Sequence, residues 1–235
     1  MNLGFFTMPI HPLDKDWRVC LREDREAFIL ADELGFTEGY IGEHVTDRAE
    51  NITSCAMFIA SLVDATKRIK LGTGTINMPN AHPAQVAANI AMLDHMLDGR
   101  FIFGISPGGL LSDAEIFGNL DANRNEMFLE CINQVLALWS GEPPYDLKGK
   151  YWTISTARTL VDEIGQGFVA KRHFARRLYL FRASRRRSCG RAMTSRSLIP
   201  FMVSAATMAL MTASSVAWTV ARKIGSRESL GSMDS

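Results

Sequence analysis

Cysteine is scarce and unpaired in this 235-residue chain: Cys20, Cys55, Cys131 and Cys189 stand far apart, with no CxxC pair. That spacing argues against a disulfide framework and offers no zinc or other metal site. It suits free thiols in a reducing compartment. The N-terminus, MNLGFFTMPIHPLDKD, lacks a basic region, and its short apolar run is broken by two prolines. No secretory signal is read there, and a cytoplasmic location is expected. Net charge is nearly absent too, at +1, so the whole-chain balance points to no nucleic-acid partner. That balance averages two unlike parts. Residues 1–170 hold 13 Lys and Arg against 23 Asp and Glu, whereas residues 171–235 hold 13 against 2.

What is present is a 47% apolar composition, enough for one large domain with a substantial core. Apolar runs at Asn2–Pro9, Gly39–Val45, Ile69–Pro79 and Phe101–Gly109 read as strands. Between and after them, residues 17–36, 51–67, 82–100 and 123–141 read as helices. Pro83 suits a first helical turn, Gly35 and Gly99 suit helix ends, and Asn51 or Thr53 suits a cap. EPPYDLKGKYW, residues 142–152, reads as an exposed connection.

Strict strand–helix alternation with continuously apolar strands predicts a parallel sheet covered by helices. GxGxxG is missing after the first strand, where TMPIHP stands instead. That disfavours an open dinucleotide-binding sheet. The expectation is therefore an α/β fold, the first half of a (β/α)8 TIM-type barrel. In a barrel, chemistry gathers at the C-terminal strand ends, which here carry MPIHP, EHVTD, TINMPNAHP and SPGG.

Each of these ends has a plain reading beside a functional one. Glu43 and His44 could tune and move a proton, or could serve as a helix cap or a strand-end ion pair; adjacent strand residues point to opposite faces, so one of the two at most faces the mouth easily. The glycines of GTGTIN, Gly72 and Gly74, mark a bulge or a close backbone approach. Ser106–Gly109 could cradle a phosphate through backbone amides, including that of Gly108, though no Lys or Arg accompanies them. NAHP is read as a loop end before a helix, and His95 as structural.

The stretches AFILADELGFTEGYIGEHVTD, IKLGTGTINMPNAHPAQVAANIAMLDHMLDGRFIFGISPG and NEMFLECINQVLALWSG together resemble the bacterial luciferase-like flavin monooxygenases. The resemblance covers about residues 1–155 and is nearest the limonene monooxygenase-like branch. It implies a barrel that binds reduced FMN at its mouth and oxygenates a small hydrophobic, terpene-like substrate with O2. It also implies a separate flavin reductase as partner and leaves homodimerisation open. Under it, His44 matches an acid/base beside the flavin, and Glu43 a supporting acid. Gly74–Thr75 matches a non-prolyl cis peptide against the flavin ring. Ser106 stands where the luciferases place a cysteine, and Pro107 where they place a phosphate-contacting arginine; Arg124 is the substitute considered. A deazaflavin-dependent hydride-transfer enzyme is the rival within the same barrel family. A non-catalytic half-barrel subunit, attached to a partner or membrane by its tail, is the rival from outside it.

The boundary is drawn at 167, with residues 1–167 the half-barrel and 168–235 a basic, then apolar tail. Seven arginines lie between Arg176 and Arg191 with no acid among them, and Leu198–Val220 is 23 uncharged residues. Three readings are weighed: a phosphate-binding arm, a membrane anchor, and the product of a shifted reading frame. The last is the expectation adopted, with neither nucleic acid nor membrane as partner. It carries the corollary that the chain as written is poorly folded or inactive.

Overall fold

The computed structural model describes residues 3–158 and 178–180. Strand β1 (Gly4–Thr7) is followed by helix α1 (Trp17–Glu33), β2 (Glu38–Ile41), the short α2 (Cys55–Ala60) and β3 (Lys70–Thr73). Next come β4 (Ile76–Asn77), a 3-10 turn at Met78–Asn80, α3 (Pro83–Leu97) and β5 (Phe101–Ser106). Then follow α4 (Leu111–Ile116), α5 (Arg124–Ser140), the strands β6 (Asp146–Lys148) and β7 (Thr153–Ser155), and β8 (Leu178–Leu180).

β1, β2, β3 and β5 pair side by side in chain order, all parallel. The registers run from Gly4 opposite Glu38 and Glu38 opposite Lys70 to Leu71 opposite Phe101. β4 carries the line of β3 onward along β5, with Ile76 opposite Ile105. The expected third strand is thus two pieces, split where the Gly74–Thr75 peptide is cis. Parallel neighbours in sequence order, each reached by a helical crossover, are the barrel arrangement expected from the alternation.

One sheet face is the core. Ile41, Leu71, Phe101, Phe103 and Ile105 pack with Phe28 of α1, Ile59 of α2, Ile90 of α3 and Val135 of α5. Phe28 stands edge-on to Phe5, and Phe103 to Trp139. The opposite face carries Phe6, Tyr40 and Ile102 across glycines. A Cβ on Gly72 would lie 2.5 Å from the Tyr40 ring and 3.2 Å from Ile102, and one on Gly74 would lie 2.9 Å from the Phe6 ring. Backbone-level glycine is what lets these rings lie on the sheet.

Local chemistry sets the element ends. Asp16 and Ser54 cap α1 and α2 by accepting from the amides of Arg18 and Met57. The α2 cap is therefore neither Asn51 nor Thr53, and the helix is far shorter than the expected 51–67. Asn51 is instead drawn inward, where its amide donates to Asp24 at 3.1 Å. Pro83 opens α3 as expected, Asp98 ends it in the left-handed region, and Gly99 follows at φ 79°.

The turn entering β3 is held by a buried acid. Asp32 accepts from the amides of Lys67, Arg68 and Ile69 at 2.8, 2.8 and 2.6 Å. Burial by itself pushes the Asp32 carboxyl up, but these three amides outweigh it and hold it below its ordinary value.

Residues 142–152, expected to be an exposed connection, instead enter an antiparallel hairpin, with Leu147 opposite Ile154 and Tyr145 buried. Its turn is organised by a distant acid: Glu130 of α5 accepts from the amides of Lys150, Tyr151 and Trp152. β8 pairs in parallel with β5, Phe103 opposite Leu178. It lies inside the segment read as a basic, then apolar tail. The rest of 168–235, with its arm, membrane and shifted-frame readings, lies outside the described residues. Among the described residues no helix is long and apolar enough to cross a membrane.

Candidate active site at the strand ends

Glu43 and His44 follow β2 by two and three residues, and the two side chains take different partners. The Glu43 carboxylate accepts from the amide and the thiol of Cys55, both at 3.0 Å, and from the amide of Asn77 at 3.3 Å. Burial pushes this carboxyl above its ordinary value, against the pull of those hydrogen bonds. The same burial, with the Glu43 charge beside it, raises the Cys55 thiol well above the usual thiol range. Glu43 also lines a cleft of about 190 Å³ with Asn77, Gln85, Asn89 and Phe117.

His44 turns to a different set of acids. Its Nδ1 lies 3.1 Å from Asp113 Oδ2, and its Nε2 lies 3.9 Å from Glu50 Oε2. Asp113 is 2% exposed. Its other oxygen accepts from the Val45 amide at 3.2 Å, the Thr46 amide at 2.9 Å and the Thr46 hydroxyl at 2.6 Å. Burial alone would raise the Asp113 carboxyl; the hydrogen bonds from Thr46 and His44 prevail and hold it below its ordinary value. An ionised carboxylate only accepts, so the proton of the neutral imidazole sits on Nδ1 and Nε2 is the nitrogen free to gain or lose one.

At the ends of β4 and β5 a third group forms. The Thr75 hydroxyl donates to Ser106 Oγ at 2.7 Å, Ser106 donates to Asn77 Oδ1 at 2.8 Å, and the Gly108 amide donates to Ser106 Oγ at 3.2 Å. Ser106 is thereby saturated, one bond given and two received. Because Asn77 joins this group by its side chain and Glu43 by its amide, the structure links Glu43, Asn77, Ser106 and Thr75 in one network. Gly42 brings the β2 end close as well: a Cβ there would stand 3.3 Å from the Gly74 carbonyl oxygen.

The structure places the expected phosphate cradle, Ser106–Gly109, at the end of β5 before α4. The Gly108 amide is committed to Ser106, and α4 is six residues long and begins beyond Gly109. Arg124 is the first residue of α5. Among the described residues no hydrogen bond or ion pair joins it, or any other Lys or Arg, to Ser106–Gly109. Asp113 and Glu50 were not among the candidates read from the sequence. Asp113 sits in the first turn of α4, 69 residues from His44, and no spacing rule connects the two.

A family model described as luciferase-like monooxygenase matches residues 1–219. The chain belongs to the luciferase-like monooxygenases. Its match runs past the 167 boundary drawn from the sequence. Among curated relatives, this luciferase-like chain is 38% identical over 140 residues to limonene 1,2-monooxygenase of Rhodococcus erythropolis, covering 58% of this chain and 36% of that protein. It is 32% identical over 158 residues to 4-hydroxyprotoasukamycin monooxygenase of Streptomyces nodosus subsp. asukaensis, covering 67% and 43%. Among solved structures it is similar to the oxygenating constituent of 3,6-diketocamphane monooxygenase from Pseudomonas putida, solved in complex with FMN. That likeness has a TM-score of 0.63 at 26% identity and covers 66% of this chain and 44% of that one. The chain thus spans about two fifths of the length of the relatives it matches.

Proposed function

We propose that this chain is a flavin-dependent monooxygenase that uses reduced FMN and O2 to oxygenate a small hydrophobic, terpene-like substrate. The observation that carries the reading is the meeting, at the ends of parallel strands, of an Asp113-held imidazole with the Thr75–Ser106 hydroxyl pair beside the glycine backbone of Gly74. The solved relative's complex with FMN and the limonene relative's substrate support the choice of cofactor and substrate class.

The residues fit the ring end of a flavin. The sheet face opposite the helices is flattened by glycines, and a flat ring can lie against backbone there as Phe6 and Tyr40 do. Gly74 and Thr75 would hold the ring face, Ser106 and Gly108 its margin, with His44 as the titratable group beside it. Pro107 brings no charge to the phosphate end, and Arg124 remains the candidate cation for it. Reduced FMN, when bound, supplies the electrons that activate O2 for transfer to the substrate. For its part, the protein has His44 to give or take a proton at Nε2 and Asp113 to keep the imidazole oriented. Glu43 holds the β2 end against β4 through the Asn77 amide. A separate flavin reductase would supply the reduced cofactor.

The test is anaerobic titration of the 235-residue chain with reduced FMN, followed by oxygen uptake with limonene in the presence of a flavin reductase. Binding at micromolar concentration with product formation is expected. Absence of reduced-flavin binding overturns the reading. Binding without product would match the sequence-based corollary of an inactive chain, and reduction of a deazaflavin in place of oxygen uptake would favour the hydride-transfer branch.

A further inference from the structure

We propose that Glu50 and His44 share one proton between Oε2 and Nε2, so that Glu50 sets how readily His44 gives or takes a proton at the strand ends. Three features of the structure lead there. First, Asp113 occupies Nδ1 and leaves Nε2 as the only nitrogen able to change its proton. Second, the atom facing Nε2 is a carboxylate oxygen at 3.9 Å, a gap that one water or a small side-chain rotation closes. Third, the loop carrying Glu50 is held from several sides. Ile10 bridges Glu50 as an antiparallel pair, the His11 amide donates to the Ala49 carbonyl, and the His44 amide donates to the Ile52 carbonyl. Asn51, the next residue, donates to Asp24, which His11 also contacts.

The Glu50 side chain is only 12% exposed, yet its carboxylate has no hydrogen-bond donor among the described residues. Such a group is stabilised either by taking a proton or by placing a cation opposite, and His44 provides for both. In one form the proton sits on Glu50 and the imidazole is neutral. In the other it sits on Nε2, and an imidazolium lies between two carboxylates. The exchange moves one proton and breaks no other bond. Burial raises the Glu50 carboxyl, the charge of His44 opposes that rise, and Asp47 and Asp113 add to it. The groups facing this pair are therefore Asp113 from α4, Asp47 on the same loop, and Glu43 next to His44 in the chain. No Lys or Arg pairs with any of Glu50, His44 and Asp113 among the described residues.

The proposal builds on His44 as the site's acid/base, but its test uses no flavin, so the two can fail separately. Side-chain carboxyl and imidazole NMR signals of the full chain are followed against pH, with His44 assigned from His44→Gln. In the wild type, Glu50 and His44 are expected to report the same two titration steps, as coupled groups do. Glu50→Gln removes the anion opposite Nε2, which lowers the His44 midpoint by about one pH unit, and the midpoints of His11, His82 and His95 stay in place. A single-step Glu50 titration independent of His44 overturns the proposal. So does an unchanged His44 midpoint in folded Glu50→Gln. If that variant does not fold, the wild-type titration decides alone.

Discussion

Replacing Asp32 by alanine isolates the contribution of one buried acid to the entry of β3. Three amides lose their acceptor together. That of Ile69 is buried, and leaving it unsatisfied costs about 1–3 kcal/mol. Those of Lys67 and Arg68 belong to exposed residues and can turn to water, so each loses about 0.5–1 kcal/mol. The sum is roughly 2–5 kcal/mol, a large part of the 5–15 kcal/mol typical of a domain. Equilibrium urea unfolding followed by tryptophan fluorescence should show a lower midpoint at unchanged slope. Asp32→Asn keeps one acceptor oxygen and should fall between the two. The acid also predicts a pH dependence. Because the folded carboxyl lies below its ordinary value of 3.8, the unfolded chain binds the proton more readily. The stabilisation is whole above that value and is lost as pH falls through the depressed folded one. Asp32→Ala should flatten that acid limb. A variant within about 0.5 kcal/mol of wild type, the usual range of inert surface changes, would refute the assignment.

Three further outcomes follow from the same geometry. His44→Ala should lower flavin-dependent oxygenation by about 10²–10⁴, the usual contribution of a positioned acid/base, with the urea midpoint nearly unmoved; an unaltered turnover number would count against His44. Gly72→Ala places a Cβ 2.5 Å from the Tyr40 ring and should cost about 1–3 kcal/mol in unfolding free energy. Pairing it with Tyr40→Ala should recover part of that loss, and strict additivity would exclude the clash. Cys55 and Cys131 are buried, and burial pushes their thiols up, that of Cys131 to about 12. Both should resist alkylation at pH 8 until denaturant is added; rapid native labelling at either, read by mass spectrometry, would contradict the burial.

The sheet was readable because its signals are local. Phe101–Ile105 is an uninterrupted apolar run, and Pro83 and Gly99 bracket α3 where their backbone preferences belong. His44 stood out because an imidazole at a strand end has few neighbours in sequence to explain it. The groups that define its state were not readable. Asp113 reaches it across 69 residues and Glu50 through a folded-back loop, and neither placement leaves a periodic trace. Long-range acceptors also account for the misread hairpin. The polar run 142–152 looked solvated until Glu130, twenty or more residues earlier, gathered three of its amides. Asn51 was a plausible cap by type, and lost that place to Ser54 because Asp24 offered it a buried partner.

Glu43 and His44 are joined by a single peptide bond, yet the chain delivers one to Cys55 and Asn77 and the other to Asp113 and Glu50. The chain therefore commits two neighbouring side chains to two separate sets of hydrogen bonds. A proton gained at His44 breaks none of the hydrogen bonds of Glu43 that fasten β2 to its neighbours, and reaches that side only through the charge it adds. Substitutions can retune one set while the other goes on holding the strands in register.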